Sequence, residues 1–344
     1  MVESLKVGNV SANRGEMKLG FIKGIELWDG TKVDIPIIVV NGAKDGPTLL
    51  LMSTQHGDEI QGIEVIRQVT RIRVDPKKLN GSIIGIPVGN PLAFQHGLYT
   101  SWIDNADVGG VRADRPEGTT TERLANAIWK QAWSQADYIL NIHCNINENA
   151  LAYQSGDLRF AKTREKLEKL IAAFGVTSIE DVEEPLPDKG PPTLGNLAMR
   201  KGVPVLLVEL FDGNRISKSS VETGVRGVLN VMKSLKMIDG NIEKQKGIRV
   251  LPGRNKFYGI VYSNRGGLLH PQKEPGEKIE KGEVIARVYN LHGDMVEAVK
   301  MPVDGYVWAY PFGEALGTAL GIQAVHTGDY VAYVFVSDKT RAQT

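Results

Sequence analysis

Four side chains in this sequence could share one piece of chemistry. The stretch STQHGDEIQGIEV, Ser53–Val65, holds His56 and Glu59 three residues apart with a glycine between them. An imidazole and a carboxylate so spaced can both reach one divalent ion. A second histidine, His143, ends the apolar run in LNIHCN. Two His and one Glu, with one position left open for water, form a catalytic zinc set. Zinc held that way lowers the pKa of its water toward ~7 and polarises a carbonyl. Glu209 follows the apolar run Val203–Val208 in VLLVELFDG, before a turn at Asp212–Gly213. A carboxylate there can serve as general base on the water and then as acid toward a leaving nitrogen. Each residue also has a plainer use. Glu59 would favour a helix N-terminus, either histidine could be a hydrogen-bonded structural residue, and Glu209 could close a salt bridge at a sheet edge. Three strand ends, each offering a reactive side chain, favour one shared crevice, because open α/β sheets bind ligands at that edge.

The elements that must position these residues are legible as apolar runs. Val33–Val40, Thr48–Ser53, Ser82–Val88, Tyr138–Ile142 and Val203–Leu210 are short and continuous, as strands buried on both faces are. Helical spacing falls between them, in Glu59–Ile72, Thr119–Ala132, Thr163–Phe174 and Val221–Leu235. Thr119 and Glu122 have the spacing of a capping box. Strands alternating with helices predict a three-layer α/β domain with a mostly parallel sheet. The polar stretch Asp239–Lys246 reads as a linker, which gives domains over residues 1–240 and 247–344. Beyond it lie short strands separated by Gly- and Pro-rich turns, such as Phe257–Ser263, Val284–Tyr289 and Gly305–Tyr310, the pattern of a smaller all-β domain.

Composition narrows the partners. The 344 residues hold 41 basic and 40 acidic side chains, so the net charge of +1 gives no reason to expect nucleic acid or an anionic membrane. No run approaches the ~18 apolar residues of a membrane span, and the N-terminus has no apolar signal core. The one cysteine, Cys144, excludes an intrachain disulfide and a Cys-cluster zinc site. A cytoplasmic setting is the expectation.

HGDE near the start, a strand ending in His143 and a later strand ending in Val208-Glu209 together resemble the aspartoacylase/succinylglutamate desuccinylase family. NPLAF at Asn90–Phe94, TTTERLANAIW at Thr119–Trp129, and Gly266–Gly267 followed by PGEKIEKGE extend the resemblance over most of the chain. The resemblance implies a carboxypeptidase-like domain with a C-terminal β domain. It also implies one zinc ion (Zn2+) per chain on His56, Glu59 and His143, with Glu209 as the general base. Four positions depart from the family pattern. An arginine expected after the N-P-x-A-F motif falls on Tyr99, and an Asn-Arg pair falls on Gly109–Gly110. Neither Tyr nor Gly can hold a carboxylate as a guanidinium fork does. Arg112 or Arg115 could reach the site from a rebuilt loop. Asn141 replaces an Asp whose carboxylate would accept a hydrogen bond from a ligating imidazole.

The reading is therefore a zinc-dependent amide hydrolase. It cleaves a small N-acylated amine or amino acid by a metal-activated water, with Tyr99, Asn90 and Arg112 as candidate substrate contacts. An ester or lactone hydrolase of the same fold, and a catalytically silent ligand- or partner-binding relative, are the alternatives. The oligomeric state is left open.

Overall fold

The computed structural model describes residues 3–145, 151–180, 185–212, 215–251, 253–310 and 324–337. The apolar runs become the middle of a twelve-stranded sheet. From one edge its order is Lys278–Ile279, Gly305–Ala309, Tyr330–Ser337, Arg254–Tyr262, Thr177–Glu180, Tyr153–Gly156, Val205–Leu210, Tyr138–Cys144, Lys44–Ser53, Asn80–Ile86, Lys32–Asn41 and Glu16–Glu26. The three strands that end at the candidate site lie side by side. Val205–Leu210 pairs in parallel with Tyr138–Cys144, which pairs in parallel with Lys44–Ser53. Parallel pairing brings their C-terminal ends to one edge, so His143, Glu209 and the segment after Ser53 meet there.

Alternation of side chains across the strands makes the layers. Leu49, Leu51, Leu140, Ile142, Leu206 and Val208 are buried on one face, in a core shared with the helices Gln61–Gln68, Arg164–Phe174 and Lys218–Ser234. Leu50, Met52 and Ile139 belong to the opposite core, with residues of the helices Thr120–Gln131 and Leu194–Arg200. The capping box at Thr119 and Glu122 forms as its spacing predicts. The helix expected over Glu59–Ile72 is regular only from Gln61 to Gln68 and continues as a π-turn over Val69–Arg73. Two parallel blocks, Val205–Leu210 with Tyr138–Cys144, Lys44–Ser53 and Asn80–Ile86, and Tyr153–Gly156 with Thr177–Glu180 and Arg254–Tyr262, meet in one antiparallel pairing, and the outer strands on both sides are antiparallel. Glu16–Glu26, a long edge strand on the antiparallel side, is not apparent from apolar runs because it alternates with charged and glycine residues.

Among the described residues, everything after residue 240 is strand, turn or extended chain. Arg254–Tyr262 pairs in parallel with Thr177–Glu180 and antiparallel with Tyr330–Ser337, so the large sheet runs on into the C-terminal region. A second, four-stranded antiparallel sheet holds Gly267–Pro271, Val284–Tyr289, Met295–Lys300 and Ala324–Val325. Its core, with Leu269, Ile285 and Val288, is distinct from the two cores of the α/β part. No helix among the described residues is long and apolar enough to cross a membrane.

One contact seats the helix that follows the HGDE segment. A Cβ on Gly62 would lie 2.2 Å from Ser53 Oγ and 2.6 Å from Ser53 Cβ, so only glycine lets Gln61–Gln68 pack so close to the strand. Ala normally stabilises a helix by up to ~1 kcal/mol relative to Gly. Overpacking a filled core costs about 1–3 kcal/mol. Gly62→Ala should therefore lower stability in urea unfolding by roughly 1–2 kcal/mol. A stabilised variant would show that the helix is not held by this contact.

Candidate active site

The segment carrying His56 and Glu59 leaves its strand through a strained residue. Thr54 has φ of 52°, a left-handed conformation that β-branched residues rarely adopt. Such backbone strain costs of order 1–3 kcal/mol and persists only where the surroundings enforce it. Here the Thr54 hydroxyl donates to the Glu59 carbonyl at 3.0 Å, and the Asn90 N–H donates to the Thr54 carbonyl at 3.0 Å. The loop is thus tied both across itself and to the next strand end. Gln61, fully buried, ties it to the third. Its side-chain amide donates to the Asp212 carbonyl at 2.7 Å, and its oxygen accepts from the Ser217 N–H at 3.1 Å. Asp212, at φ 60°, makes the turn expected after Glu209; Gly213 lies outside the described residues.

His56, Glu59 and His143 come together. Glu59 Oε1 lies 2.7 Å from His56 Nδ1, and Oε2 lies 2.9 Å from His143 Nδ1. One donor atom from each residue falls within 4.8 Å of the others, and all three residues are buried. Burial pushes the Glu59 carboxyl up, but the two imidazoles outweigh it and hold the group below the usual carboxylate range. Burial likewise lowers the His56 imidazole, and the carboxylates of Glu59 and Asp107 more than reverse this. His143 Nε2 is buried with no hydrogen-bond partner among the described residues. Two imidazole nitrogens and a carboxylate, buried and converging, fit a divalent ion of the zinc class.

Glu209 stands in the same row. It is directly opposite His143 on one neighbouring strand and directly opposite Tyr153 on the other. Side chains opposite one another on a sheet face have Cβ atoms ~4.5–5.5 Å apart. Tyr99 also reaches the cluster: its ring stacks on His56 with centroids 3.6 Å apart.

Three expectations need correction. Asn141 does not partner the His143 imidazole. It projects from the same sheet face two residues earlier, and its amide donates instead to Gln55 Oε1 at 3.0 Å. A carboxylate beside a far imidazole nitrogen does exist, but it is Asp107, 3.6 Å from His56 Nε2. Asp107 is oriented by Gln55 Nε2 at 3.1 Å and the Gly109 N–H at 2.8 Å. Arg112 turns away and forms a two-point pair with Asp114, at 3.1 and 2.8 Å, in an exposed loop. Arg115 is more than half exposed and lies 3.8 Å from Glu122. Asn90 caps the short helix Pro91–Phe94, accepting from the Ala93 N–H at 3.1 Å, and does not line the cavity described next.

Below the cluster, on the same sheet face, lies a cavity of about 340 Å³. Gln55, Asp107, Asn141, Ser155, Asp157 and Asn196 contribute its polar lining. No Lys or Arg lines it among the described residues. Its size is at the small end of ligand pockets (~300–1,000 Å³). Two buried polar atoms of lining residues, Asn141 Oδ1 and Trp133 Nε1, lack a hydrogen-bond partner among the described residues. Gly109 belongs to this arrangement, because a Cβ there would strike the Gln55 amide at 2.3 Å. Sequence reasoning missed Gln55, Asp107, Gln61 and Tyr153. Gln55 and Gln61 flank the HGDE segment, but neither shows its distant partner in the sequence.

Comparison with known proteins agrees with this architecture. The profile of the succinylglutamate desuccinylase/aspartoacylase catalytic domain matches residues 45–235. An N-alpha-acetyl-L-2,4-diaminobutyric acid deacetylase from Halomonas elongata is 25% identical over 320 residues, covering 90% of each chain. Among solved structures, a succinylglutamate desuccinylase/aspartoacylase from Rhodobacter sphaeroides superposes with a TM-score of 0.80 at 25% identity, over 97% of this chain and 99% of that one. The product-bound ectoine utilization protein EutE (DoeB) from Ruegeria pomeroyi has the same fold, with a TM-score of 0.81 at 22% identity and coverage of 97% and 99%. The chain therefore belongs to the succinylglutamate desuccinylase/aspartoacylase family, hydrolases that cleave amide bonds of small N-acyl compounds.

Proposed function

We propose that this chain is a zinc-dependent deacylase that removes the acyl group from a small N-acylated amine or amino acid. The observation that carries the reading is the convergence of His56, Glu59 and His143 beside Glu209, next to a small cavity whose lining includes Gln55 and Asp107. His56 and His143 would each hold the ion through an imidazole nitrogen, and Glu59 through its carboxylate. When bound, a zinc ion supplies Lewis acidity, which polarises an acyl carbonyl and makes water a better acid. The protein's own groups do the rest. Glu209 takes the proton from the attacking water and delivers it to the departing nitrogen. Asp107 faces His56 Nε2 and fixes the orientation of that ring. The Tyr99 ring covers His56, which is 5% exposed, and keeps water from that side.

The cavity favours one kind of substrate. Its described lining carries the carboxylates of Asp107 and Asp157 and no guanidinium or ammonium group. Asp157 is already paired with Arg159 at 2.9 Å, which leaves Asp107 as the charge facing the cluster. The substrate's amine portion is accordingly neutral or cationic, as in the compound that names the Halomonas elongata relative.

Three outcomes test this reading. Purified protein should contain about one zinc per chain, and His143→Ala should lose most of it, since two protein ligands hold the ion poorly. Full zinc content in that variant by elemental analysis would place the metal elsewhere. Glu209→Gln should keep its zinc and lose rate by ~10²–10⁴-fold. Near-normal turnover would return Glu209 to a structural role and favour a binding protein. N-α-acetyl-L-2,4-diaminobutyrate should be hydrolysed, with kcat/KM above that of N-acetylaspartate and N-succinylglutamate by about 10–100-fold, the worth of one charged hydrogen bond at ~1.5–3 kcal/mol. Equal or better use of the two anionic compounds would mean that a cation outside the described lining reaches the site.

A further inference from the structure

We propose that Tyr153 is the residue that positions Glu209, and that Trp308 of the C-terminal β region holds Tyr153 in place. The inference rests on the proposed role of Glu209 in proton transfer. It begins from register. Tyr153 heads the strand Tyr153–Gly156 and lies directly opposite Glu209, which lies directly opposite His143. The three side chains form one row across the sheet, with Glu209 in the middle. Tyr153 is 5% exposed, so its hydroxyl needs a partner within the protein. That partner is the Glu209 carboxylate, to which it donates. Burial and the charge of Glu209 both push the Tyr153 hydroxyl well above its ordinary range.

The direction of that hydroxyl is set from the other side. The Tyr153 ring meets Trp308 edge to face, with centroids 3.9 Å apart and planes at 72°. Trp308 is itself packed against Tyr333 at 5.5 Å and Phe257 at 6.3 Å. Tyr153, Ile179 and Phe335 are the buried members of a small core distinct from the main cores, and Trp308 and Phe257 pack against it. Tyr153 is the member of that core that also faces the candidate site. The C-terminal strands therefore act on the site through one ring. A glutamate side chain has three rotatable bonds, and a general base must stay within ~2.6–3.2 Å of the proton it takes. A misplacement of ~1 Å can cost ~10²-fold in rate. A short donor fixed by a packed ring restrains the carboxylate without entering the reaction.

Tyr153→Phe removes one oxygen and keeps the ring that Trp308 contacts. With N-α-acetyl-L-2,4-diaminobutyrate as probe, its kcat should fall about 10-fold or more, with KM within twofold and zinc content unchanged. In a Glu209→Gln background the same change should have no further effect. Trp308→Leu should lower kcat in part, and Trp308→Phe should restore it. In crystals of zinc-free Tyr153→Phe protein, the Glu209 side chain should occupy more than one rotamer. A wild-type kcat in Tyr153→Phe, or a single unchanged Glu209 rotamer, would overturn the inference while leaving the role of Glu209 intact. So would an equal further loss on top of Glu209→Gln. Near-normal turnover by Glu209→Gln, or no turnover of the probe by the wild-type protein, would instead remove the reading on which the inference rests.

Discussion

A buried carboxylate shared by two buried imidazoles is the interaction around which the rest of this protein is arranged. Glu59 has one oxygen on His56 and the other on His143, and water reaches none of the three to any extent. An ionised carboxylate in such surroundings is costly unless it is paired and held in good geometry. The neighbouring structure supplies that geometry. Thr54 accepts an unfavourable backbone conformation, Gln61 bridges to the chain after Glu209, and Asp107 steadies the far side of His56. None of these would be needed to build a sheet. They are understandable as the means of keeping three donor atoms convergent.

Convergence is possible because of topology. Parallel neighbours end at the same edge, so residues far apart in sequence meet without a long loop between them. Extending the sheet through Arg254–Tyr262 then brings a second region of the chain near that edge. The antiparallel strand Tyr153–Gly156 next to Val205–Leu210 completes the row, with its first residue beside Glu209. Each strand thus offers the site a residue near or just beyond its end, while the strand interiors supply apolar surface to the two cores.

Much of this was legible in the sequence, and the pattern of what was not is physical. Continuous apolar runs announced the central strands, and strand ends followed by His56, Glu59, His143 and Glu209 announced the edge where they meet. Residues that act through distant partners were hidden. Gln55 meets Asp107 and Asn141 across 52 and 86 positions, and Gln61 meets Asp212 across 151, with no periodicity to mark them. Asn141 misled because strand alternation gives its face and not its neighbour; the Gln55 amide is there to receive it. Arg112 misled because charge in a loop says nothing of direction, and Asp114 two residues on captures it. Tyr153 carried no signal at all, since its meaning comes from register against Glu209 and from a tryptophan in the C-terminal region.

The departures from the family pattern also acquire a physical sense. Gly109 leaves room for the Gln55 amide, and Tyr99 lies flat on His56 where an arginine would project. Among the described residues, amides line the neighbouring cavity, an aromatic ring covers His56, and no Lys or Arg lines that cavity. The centre of the site is the point on which the account stands or falls, and X-ray absorption at the zinc edge of the purified protein examines it directly. The account predicts two imidazole nitrogens and carboxylate or water oxygens at ~2.0–2.2 Å, with no sulfur scatterer. A zinc shell made of oxygen alone, a sulfur ligand at ~2.3 Å, or purified protein that takes up no zinc would contradict it.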